Sequence, residues 1–331
     1  MTAKETRSNM KKGASDAVKP RLGLSTCLLG EKVRYDASGK RDSFLVDTLG
    51  QFVDWVPVCP EVECGLPVPR EAMHLEGDPE SPRLVTVRTH VDHTPRMKKW
   101  SRQRLLELED QDLSGFVFKS RSPSSGMERV KVYGRNGVPQ NVGVGLWARA
   151  FMDHFSLLPV EDDGRLNDPD IRENFIERVF ALKRYRNAMR PRRSRRALVE
   201  FQTTHKLQLM AHAPAIQKEM GRLVARASDL PAGELFARYE ELLMKAMKQR
   251  ATPGKNANVL QHALGYFKRE LEPDEKKEAL EVIEDYRGGS TPLIVPATLL
   301  RHYIRKYNVE YLCSQSYFAP HPIELKLRNH A

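Results

Sequence analysis

The chain has 331 residues, of which 40% are hydrophobic and 29% are charged. This composition is typical of a globular protein, and the length suits two domains of roughly 100–200 residues each. No apolar run approaches the roughly 20 residues that cross a bilayer, so we expect no membrane-spanning helix. Four cysteines are too few for a secreted disulfide framework.

The N-terminal stretch, residues 1–20, is polar and rich in lysine. It lacks the apolar segment of a signal peptide, so we expect a disordered tail and a cytoplasmic protein with reduced thiols. The net charge of +11 indicates a polyanionic partner. A basic protein that binds no polyanion is the alternative.

Short apolar segments alternate with helical patterns through the first half of the chain. The pattern predicts strands at residues 21–27, 54–58, 84–89, 115–119 and 157–160, and helices at 43–52, 95–109 and 142–155. This alternation predicts an α/β domain over residues 21–163, with a mostly parallel, Rossmann-like sheet. Ligands of such sheets bind outside the carboxyl ends of the strands.

Strand signals vanish after Gly164, and helical patterns separated by proline and glycine take their place. The predicted helices are 170–189, 195–226, 233–250, 259–271, 274–286 and 296–307. We therefore predict an all-helical C-terminal domain over residues 168–331.

Three of the predicted strands end in unusual polar segments, Cys27-Leu-Leu-Gly30, Cys59-Pro-Glu61 and Ser122-Pro-Ser-Ser-Gly126. A shared strand direction would bring all three segments to one edge of the sheet. Thiolates are the usual ligands of iron–sulfur clusters and of structural zinc. The cysteine spacing alone leaves the alternative that each buried cysteine packs as a small hydrophobic residue.

Longer motifs around these segments resemble a known family. They are Ser25-Thr-Cys-Leu-Leu-Gly with Val33-Arg-Tyr-Asp36, Val58-Cys-Pro-Glu-Val62 with Gly65-Leu-Pro-Val-Pro-Arg70, and Lys119-Ser-Arg-Ser-Pro-Ser-x-Gly126. In this order they resemble the thiouracil desulfurase (desulfidase) family, over about residues 21–160. The helical half resembles the companion domain that is often fused to it, through Phe201-Gln-Thr-Thr-His-Lys206, Leu209-Met-Ala-His212, His262-Ala-Leu-Gly-Tyr-Phe-Lys268 and Ser314-Gln-Ser-Tyr-Phe-Ala-Pro-His-Pro322.

The resemblance implies an enzyme that removes sulfur from a thiolated pyrimidine, with a 4Fe-4S cluster held by three cysteines and one iron left open. On the family pattern the ligands fall on Cys27, Cys59 and position 125, where this chain has Ser125 in place of the expected cysteine. Three explanations are open. The chain is a substituted variant of an active enzyme, Cys64 supplies the third thiolate, or the cluster is weak or absent and the activity is lost.

The same motifs contain candidates for the remaining chemistry. Glu61 is the candidate acid/base for the attacking water, and Ser122 and Ser124 are candidates for orienting substrate or water. The alternatives are that Glu61 caps the next turn and that the serines only form a turn. Four basic residues near the motifs are candidates for binding substrate: Arg34, Arg70, Lys119 and Arg121. The alternative for Arg34 and Arg70 is that they brace loops.

The segment of residues 183–196 holds eight basic residues and no acidic one. Such charge density suits contacts with the phosphates of RNA, although a solvated helix face is the alternative. The predicted contacts are Lys183, Arg184, Arg186, Arg190, Arg192, Arg193, Arg195 and Arg196. Combined with the thiouracil chemistry, this segment favours a thiouridine-bearing tRNA as the substrate.

Two other functions are also open. One is a non-catalytic nucleic-acid-binding protein whose cluster site has decayed at Ser125. The other is a structural module stabilised by zinc, which would use Cys27, Cys59 and Cys64 as ligands.

Overall fold

The computed structural model of the protein describes residues 19–134, 136–190 and 193–330. The chain divides into two compact units, one that ends at Asn167 and one that begins at Asp168. Most of the expected N-terminal tail and the predicted RNA contact Arg192 lie outside the described residues.

Strands and helices alternate in the first unit. Its strands are β1 (Arg21–Ser25), β2 (Asp54–Val58), β3 (Met73–Glu76), β4 (Arg83–Thr86), β5 (Leu113–Phe118), β6 (Val130–Tyr133), β7 (Pro139–Gly143) and β8 (Val160–Asp162). Its helices are α1 (Pro60–Glu63), α2 (Thr94–Glu109) and α3 (Leu146–His154).

The strands of this unit form two sheets. One sheet has the order β2-β1-β5-β8, and all its strands are parallel. This sheet confirms the predicted α/β class. The other has the order β4-β3-β6-β7 and is mixed. Its strands β3, β6 and β7 were not predicted, because they have only four or five residues each, too few for an alternation of apolar and polar residues to stand out.

The parallel sheet is held by an aromatic cluster between β5 and α3. The ring of Phe116 lies 4.7 Å from that of Phe151 and 4.4 Å from that of Phe118, measured between centroids. Gly23 in β1 makes room for this cluster, because a Cβ there would lie only 2.1 Å from the ring of Phe116. Offset and tilted ring pairs of this kind add to the free energy of burial.

Two predicted helices of the first unit were wrong in extent. Val142 and Gly143 belong to β7, and α3 begins only at Leu146. The segment predicted as a helix at 43–52 is a short π-helix, Phe44–Thr48, followed by a 3-10 turn.

The second unit consists of helices and the loops that connect them within its described residues, which confirms the predicted all-α class. Its helices are α4 (Pro169–Met189), α5 (Arg195–His212), α6 (Pro214–Ala225), α7 (Ala232–Lys248), α8 (Pro253–Leu264), α9 (Pro273–Arg287), α10 (Ile294–Lys306) and α11 (Glu310–Cys313).

The predicted helix at 195–226 is two helices, since Pro214 lacks an N–H to continue α5 and is well suited to begin α6. Buried apolar residues from α5, α8, α9 and α10 form a common core that includes Leu207, Leu260, Ile283 and Leu300. Among the described helices, none combines the length and the apolar character needed to span a membrane.

Candidate active site

Cys27 and Cys59 stand just beyond the ends of two neighbouring parallel strands. β1 and β2 pair with Ser25 opposite Val58, so both cysteines follow at the same edge of the sheet. Both residues are 8% exposed and line one cavity. Burial raises the pKa of Cys27 to about 11 and that of Cys59 to about 12. The predicted convergence of these two strand ends is therefore observed.

Glu61 lies in α1, directly after Cys59, and faces the same cavity. Its Oε2 atom is 3.7 Å from the Sγ of Cys59 and 3.8 Å from an Nη of Arg70. The capping role that was the alternative for Glu61 belongs to Glu63, whose Oε1 accepts a hydrogen bond of 2.8 Å from the backbone N–H of Cys59. The carboxylate of Glu61 is thus left for contacts across the cavity.

A chain of hydroxyl groups connects the third motif to Glu61. Ser124 donates a hydrogen bond of 2.5 Å to Oε1 of Glu61, and its Oγ lies 3.0 Å from that of Ser122. A serine hydroxyl can donate only one hydrogen bond. Ser124 donates its hydrogen bond to Glu61, so in the contact between the two serines Ser122 is the donor and Ser124 the acceptor. Ser122 lines the cavity, whereas Ser124 is fully buried. The three side chains form one directed hydrogen-bond chain that ends on the carboxylate.

The loop that carries these serines is fixed by the start of α3. The first N–H groups of a helix have no partner within the helix. Here the N–H groups of Trp147 and Ala148 donate to the carbonyl of Ser124 at 2.9 and 3.1 Å. Gly145 permits this close packing, because a Cβ there would lie 2.4 Å from the same carbonyl oxygen. The serines are therefore held in place by backbone contacts.

The end of the fourth parallel strand supplies a group that the sequence pattern missed. Asp163 follows β8 and accepts hydrogen bonds from Lys119 Nζ at 2.7 Å and from the backbone N–H of Ser120 at 2.7 Å. Burial opposes the charge of Asp163, but the hydrogen bonds from Lys119 and Ser120 outweigh it and lower the pKa of this carboxyl. The strand-end rule would have found Asp163 if the sequence pattern had placed the end of β8 correctly.

The remaining predicted substrate contacts also line the cavity. Arg70 is nearly buried and donates to the carbonyl of Val33 at 3.0 Å, so it braces the loops in addition to facing Glu61. Arg34 donates to the hydroxyl of Ser38 at 3.1 Å. Arg121 is exposed and has a positive φ of 59°. The structure brings these arginines together with Lys119 around one cavity.

Ser125 occupies the third predicted ligand position in the cavity wall, and it is 3% exposed. Among the described residues that line the cavity, the cysteines are Cys27 and Cys59. Cys64 donates to the backbone carbonyl of Glu61 and packs against the core beside the second sheet. Cys64 does not line the cavity, so the structure does not place it beside Cys27 and Cys59 as a third thiolate or as a zinc ligand.

The basic segment does not lie wholly on the surface. Lys183 is only 4% exposed. Arg184 donates to the ring of His205 and to the carbonyl of Pro320, at 3.1 and 2.7 Å. Burial keeps Lys183 away from the surface, and its contacts hold Arg184 within the helical unit. The prediction of these two residues as RNA contacts was therefore wrong.

The other described members of the segment lie nearer to the solvent. Arg186 faces Glu240 at 3.6 Å, and Arg195 donates to the carbonyl of Ala227 at 2.7 Å. Arg190, Arg193 and Arg196 are exposed. The exposed part of the segment is smaller than the sequence pattern indicated.

A buried cluster of charged residues lies in the second unit. Among the described residues, Glu173, Glu177 and His321 could be gathered around a metal ion. Arg328 already donates to both carboxylates, at 3.1 and 2.8 Å, and His212 contacts Glu177 at 2.6 Å. Because Arg328 and His212 already bind these carboxyl groups, the cluster is an element of the core and not a candidate metal centre.

Two thiols, a carboxylate and hydroxyl groups lie at the carboxyl edge of the parallel sheet, which is where ligands bind in α/β domains. Residues 22–163 match the 2-thiouracil desulfurase family, and residues 206–322 match the family described as protein of unknown function DUF1722. Through its N-terminal domain the chain belongs to the 2-thiouracil desulfurase family. The resemblance found from the motifs is thereby confirmed.

Two known proteins are similar to parts of this chain. The chain is 28% identical over 158 residues to "Uncharacterized protein YbgA" of Escherichia coli K12, a match that covers 47% of this chain and 94% of YbgA. It is 30% identical to a solved 4Fe-4S-dependent thiouracil desulfidase, TudS. That match covers 45% of this chain and 95% of TudS, with a TM-score of 0.38.

Proposed function

We propose that the cavity of the first unit is the active site of an iron–sulfur-dependent desulfidase, which converts a thiolated uracil and water to uracil and sulfide. The observation that carries this proposal is the convergence of Cys27, Cys59, Glu61 and Ser122 on one cavity at the carboxyl edge of the parallel sheet. Membership of the 2-thiouracil desulfurase family supports the class of reaction.

The donor set is compatible with an iron–sulfur cluster. Cys27 and Cys59 offer two buried thiols on the cavity wall, and thiolates are the ligands that such clusters use. Ser125 completes the set with a hydroxyl oxygen, which is a harder and weaker donor for iron. A cluster bound there supplies a soft Lewis acid for the thiocarbonyl sulfur. We therefore assign Cys27, Cys59 and Ser125 as the residues that would hold it.

The side chains around the cavity suit the proton transfers that the reaction needs. The carboxylate of Glu61 takes a proton from the water that adds to the thiocarbonyl carbon. Its Oε1 is held by Ser124, so the base is fixed in direction. Ser122, at the cavity end of the hydroxyl chain, orients substrate or water.

Lys119 is suited to bind a carbonyl oxygen of the pyrimidine. An ammonium group has three N–H donors. Two of those of Lys119 go to Asp163 and Ser120, at 2.7 and 2.9 Å, which leaves one for a ligand in the cavity that Lys119 lines. Asp163 is then a positioning residue for this ammonium group.

The natural substrate that we propose is thiouridine in tRNA. The net charge of +11 and the exposed Arg190, Arg193 and Arg196 support a polyanionic partner. A thiouridine-bearing tRNA in the cytoplasm would carry, in one molecule, the phosphates for this surface and the thiolated base for the proposed reaction.

Sulfide release from thiolated and plain tRNA, by protein reconstituted anaerobically with iron and sulfide, tests the proposal. We expect sulfide only from the thiolated tRNA, together with broad visible absorbance of the protein. Absence of sulfide from every thiolated pyrimidine, free or in RNA, would exclude the desulfidase.

The tRNA substrate has a separate test. Replacing Arg193 and Arg196 by glutamine should weaken tRNA binding and reduce the slope of log Kd against log salt by about one for each phosphate that the variant no longer neutralises. Lys277→Gln on α9 is the control, because this exposed lysine is paired with Glu281. Equal affinity of the arginine variant and the control would refute the role of this surface.

A further inference from the structure

Two motifs of the helical unit that the proposed reaction does not use meet around one arginine of α4, Arg184. Its Nε donates to Nε2 of His205 at 3.1 Å, one Nη donates to the carbonyl of Pro320 at 2.7 Å, and the other Nη donates to Oε1 of Gln208 at 3.4 Å. His205 and Gln208 lie on α5, whereas Pro320 follows α11. The guanidinium group therefore joins three separate segments of the helical unit.

None of these three partners carries a negative charge. His205 is neutral, because its Nδ1 donates to the carbonyl of Phe201 at 2.9 Å and its Nε2 accepts from Arg184. Burial, assisted by the charge of Arg184, lowers the pKa of this imidazole to about 3. The carboxylate that acts on Arg184 from a distance, that of Glu177, is already engaged by two side chains of the buried cluster described above. Burial lowers the pKa of Arg184 to about 10, as expected for a cation without a counter-ion in contact.

Unused hydrogen-bond donors surround this cation. A guanidinium group has five N–H donors, and the three contacts of Arg184 leave one N–H on each Nη. Gln208 is only 1% exposed, and its Oε1 also accepts from the hydroxyl of Ser316 at 2.9 Å. The Nε2 of the same amide is buried and has no hydrogen-bond partner among the described residues. Because buried donors in proteins normally have a partner, these N–H groups point to a ligand.

We infer that Arg184 and Gln208 form a binding site for the carboxylate of a small organic acid. A carboxylate has two oxygens with about four acceptor positions, which matches the two unused N–H groups of Arg184 and the two of Gln208. Its single negative charge balances one guanidinium group, whereas a phosphate would bring up to two charges. Arg184 and Ser316 are partly exposed, which gives a small ligand access. The inference is independent of the desulfidase reaction and assigns a separate site to the helical unit.

The substitution Gln208→Glu tests the missing counter-ion without any ligand. It keeps the shape of the side chain and puts a carboxylate beside Arg184 and the hydroxyl of Ser316. We expect the unfolding temperature of the full-length chain, followed by circular dichroism, to rise by about 3–10 °C. Gln202→Glu is the matched control, because this buried glutamine of α5 accepts from the hydroxyl of Tyr239 at 2.7 Å, and its substitution should lower the unfolding temperature. A Gln208→Glu protein that is no more stable than wild type would overturn the inference.

A titration with sodium acetate, compared with sodium chloride at equal ionic strength, tests the class of ligand. Acetate should raise the unfolding temperature of wild type but not that of Gln208→Glu, because the carboxylate of the variant takes the place of the ligand. Sodium phosphate is the second probe, and the difference between wild type and Gln208→Glu is the quantity compared for each anion. Equal responses of the two proteins to acetate would overturn the site, and a difference with phosphate alone would overturn the assignment to carboxylates.

Discussion

The substitution Glu61→Gln separates catalysis from stability at the centre of the site. The amide keeps an oxygen that can accept the hydrogen bond from Ser124, so the loop should hold its position. Loss of the charge affects Arg70 at 3.8 Å, but this arginine still donates to the carbonyl of Val33. We expect a stability cost of about 1–2 kcal/mol, below the roughly 3–5 kcal/mol for breaking a fully buried pair. A domain stable by about 5–15 kcal/mol remains folded.

The expected loss of activity is larger. Removal of a general base costs about 10²- to 10⁴-fold in rate, equivalent to roughly 3–5 kcal/mol in the activation barrier. The assay is the initial rate of sulfide release, with iron content and thermal unfolding measured on the same preparation. Glu128→Gln is the matched control, because this carboxylate also lines the cavity but pairs with Arg165. A wild-type rate for Glu61→Gln at equal iron content would refute the assignment of Glu61 as the base.

Two further predictions concern the cluster ligands and the stability of the helical unit. Cys64→Ala should leave the iron content of reconstituted protein unchanged, whereas Cys59→Ala should lower it; iron analysis that shows equal losses would be inconsistent with the cavity as the cluster site. Glu177→Gln should destabilise the helical unit by about 3–5 kcal/mol in urea unfolding, because His212 loses its carboxylate partner and the buried Arg328 keeps only Glu173. Burial opposes the charge of Glu177, but Arg328 and His212 hold its pKa well below the usual range. Its stabilisation is therefore present above the unfolded pKa of about 4.3 and is lost as the pH falls below that value. Wild type should lose more stability than Glu177→Gln in that acidic range, and parallel losses would contradict this linkage.

Local sequence signals were sufficient for the elements that form the thiol edge of the site. The apolar segment before Cys59 predicted β2 with its observed bounds, Asp54–Val58. The rule that parallel strands end at one edge then brought Cys27 and Cys59 together. This part was predictable because each strand carries buried apolar residues and is followed by residues that no strand requires.

The parts that were missed depend on contacts between distant segments. β3 and β6 pair through Leu75 opposite Val132, and each has only four residues, which is too short a pattern to indicate a strand by itself. The buried position of Lys183 had a local signal, because it lies four residues after Val179 on the inner face of α4. The density of charge around it favoured the wrong interpretation.

The residue at position 125, the third ligand position, gives the most direct test of the proposed desulfidase. The most direct experiment compares wild type with Ser125→Cys after anaerobic reconstitution, by iron and sulfide analysis, visible absorbance and sulfide release from thiouridine-bearing tRNA. We predict that the thiol at position 125 strengthens the cluster absorbance and increases sulfide release. A Ser125→Cys protein that holds zinc or no metal, and releases no sulfide from any thiolated pyrimidine, would contradict the desulfidase.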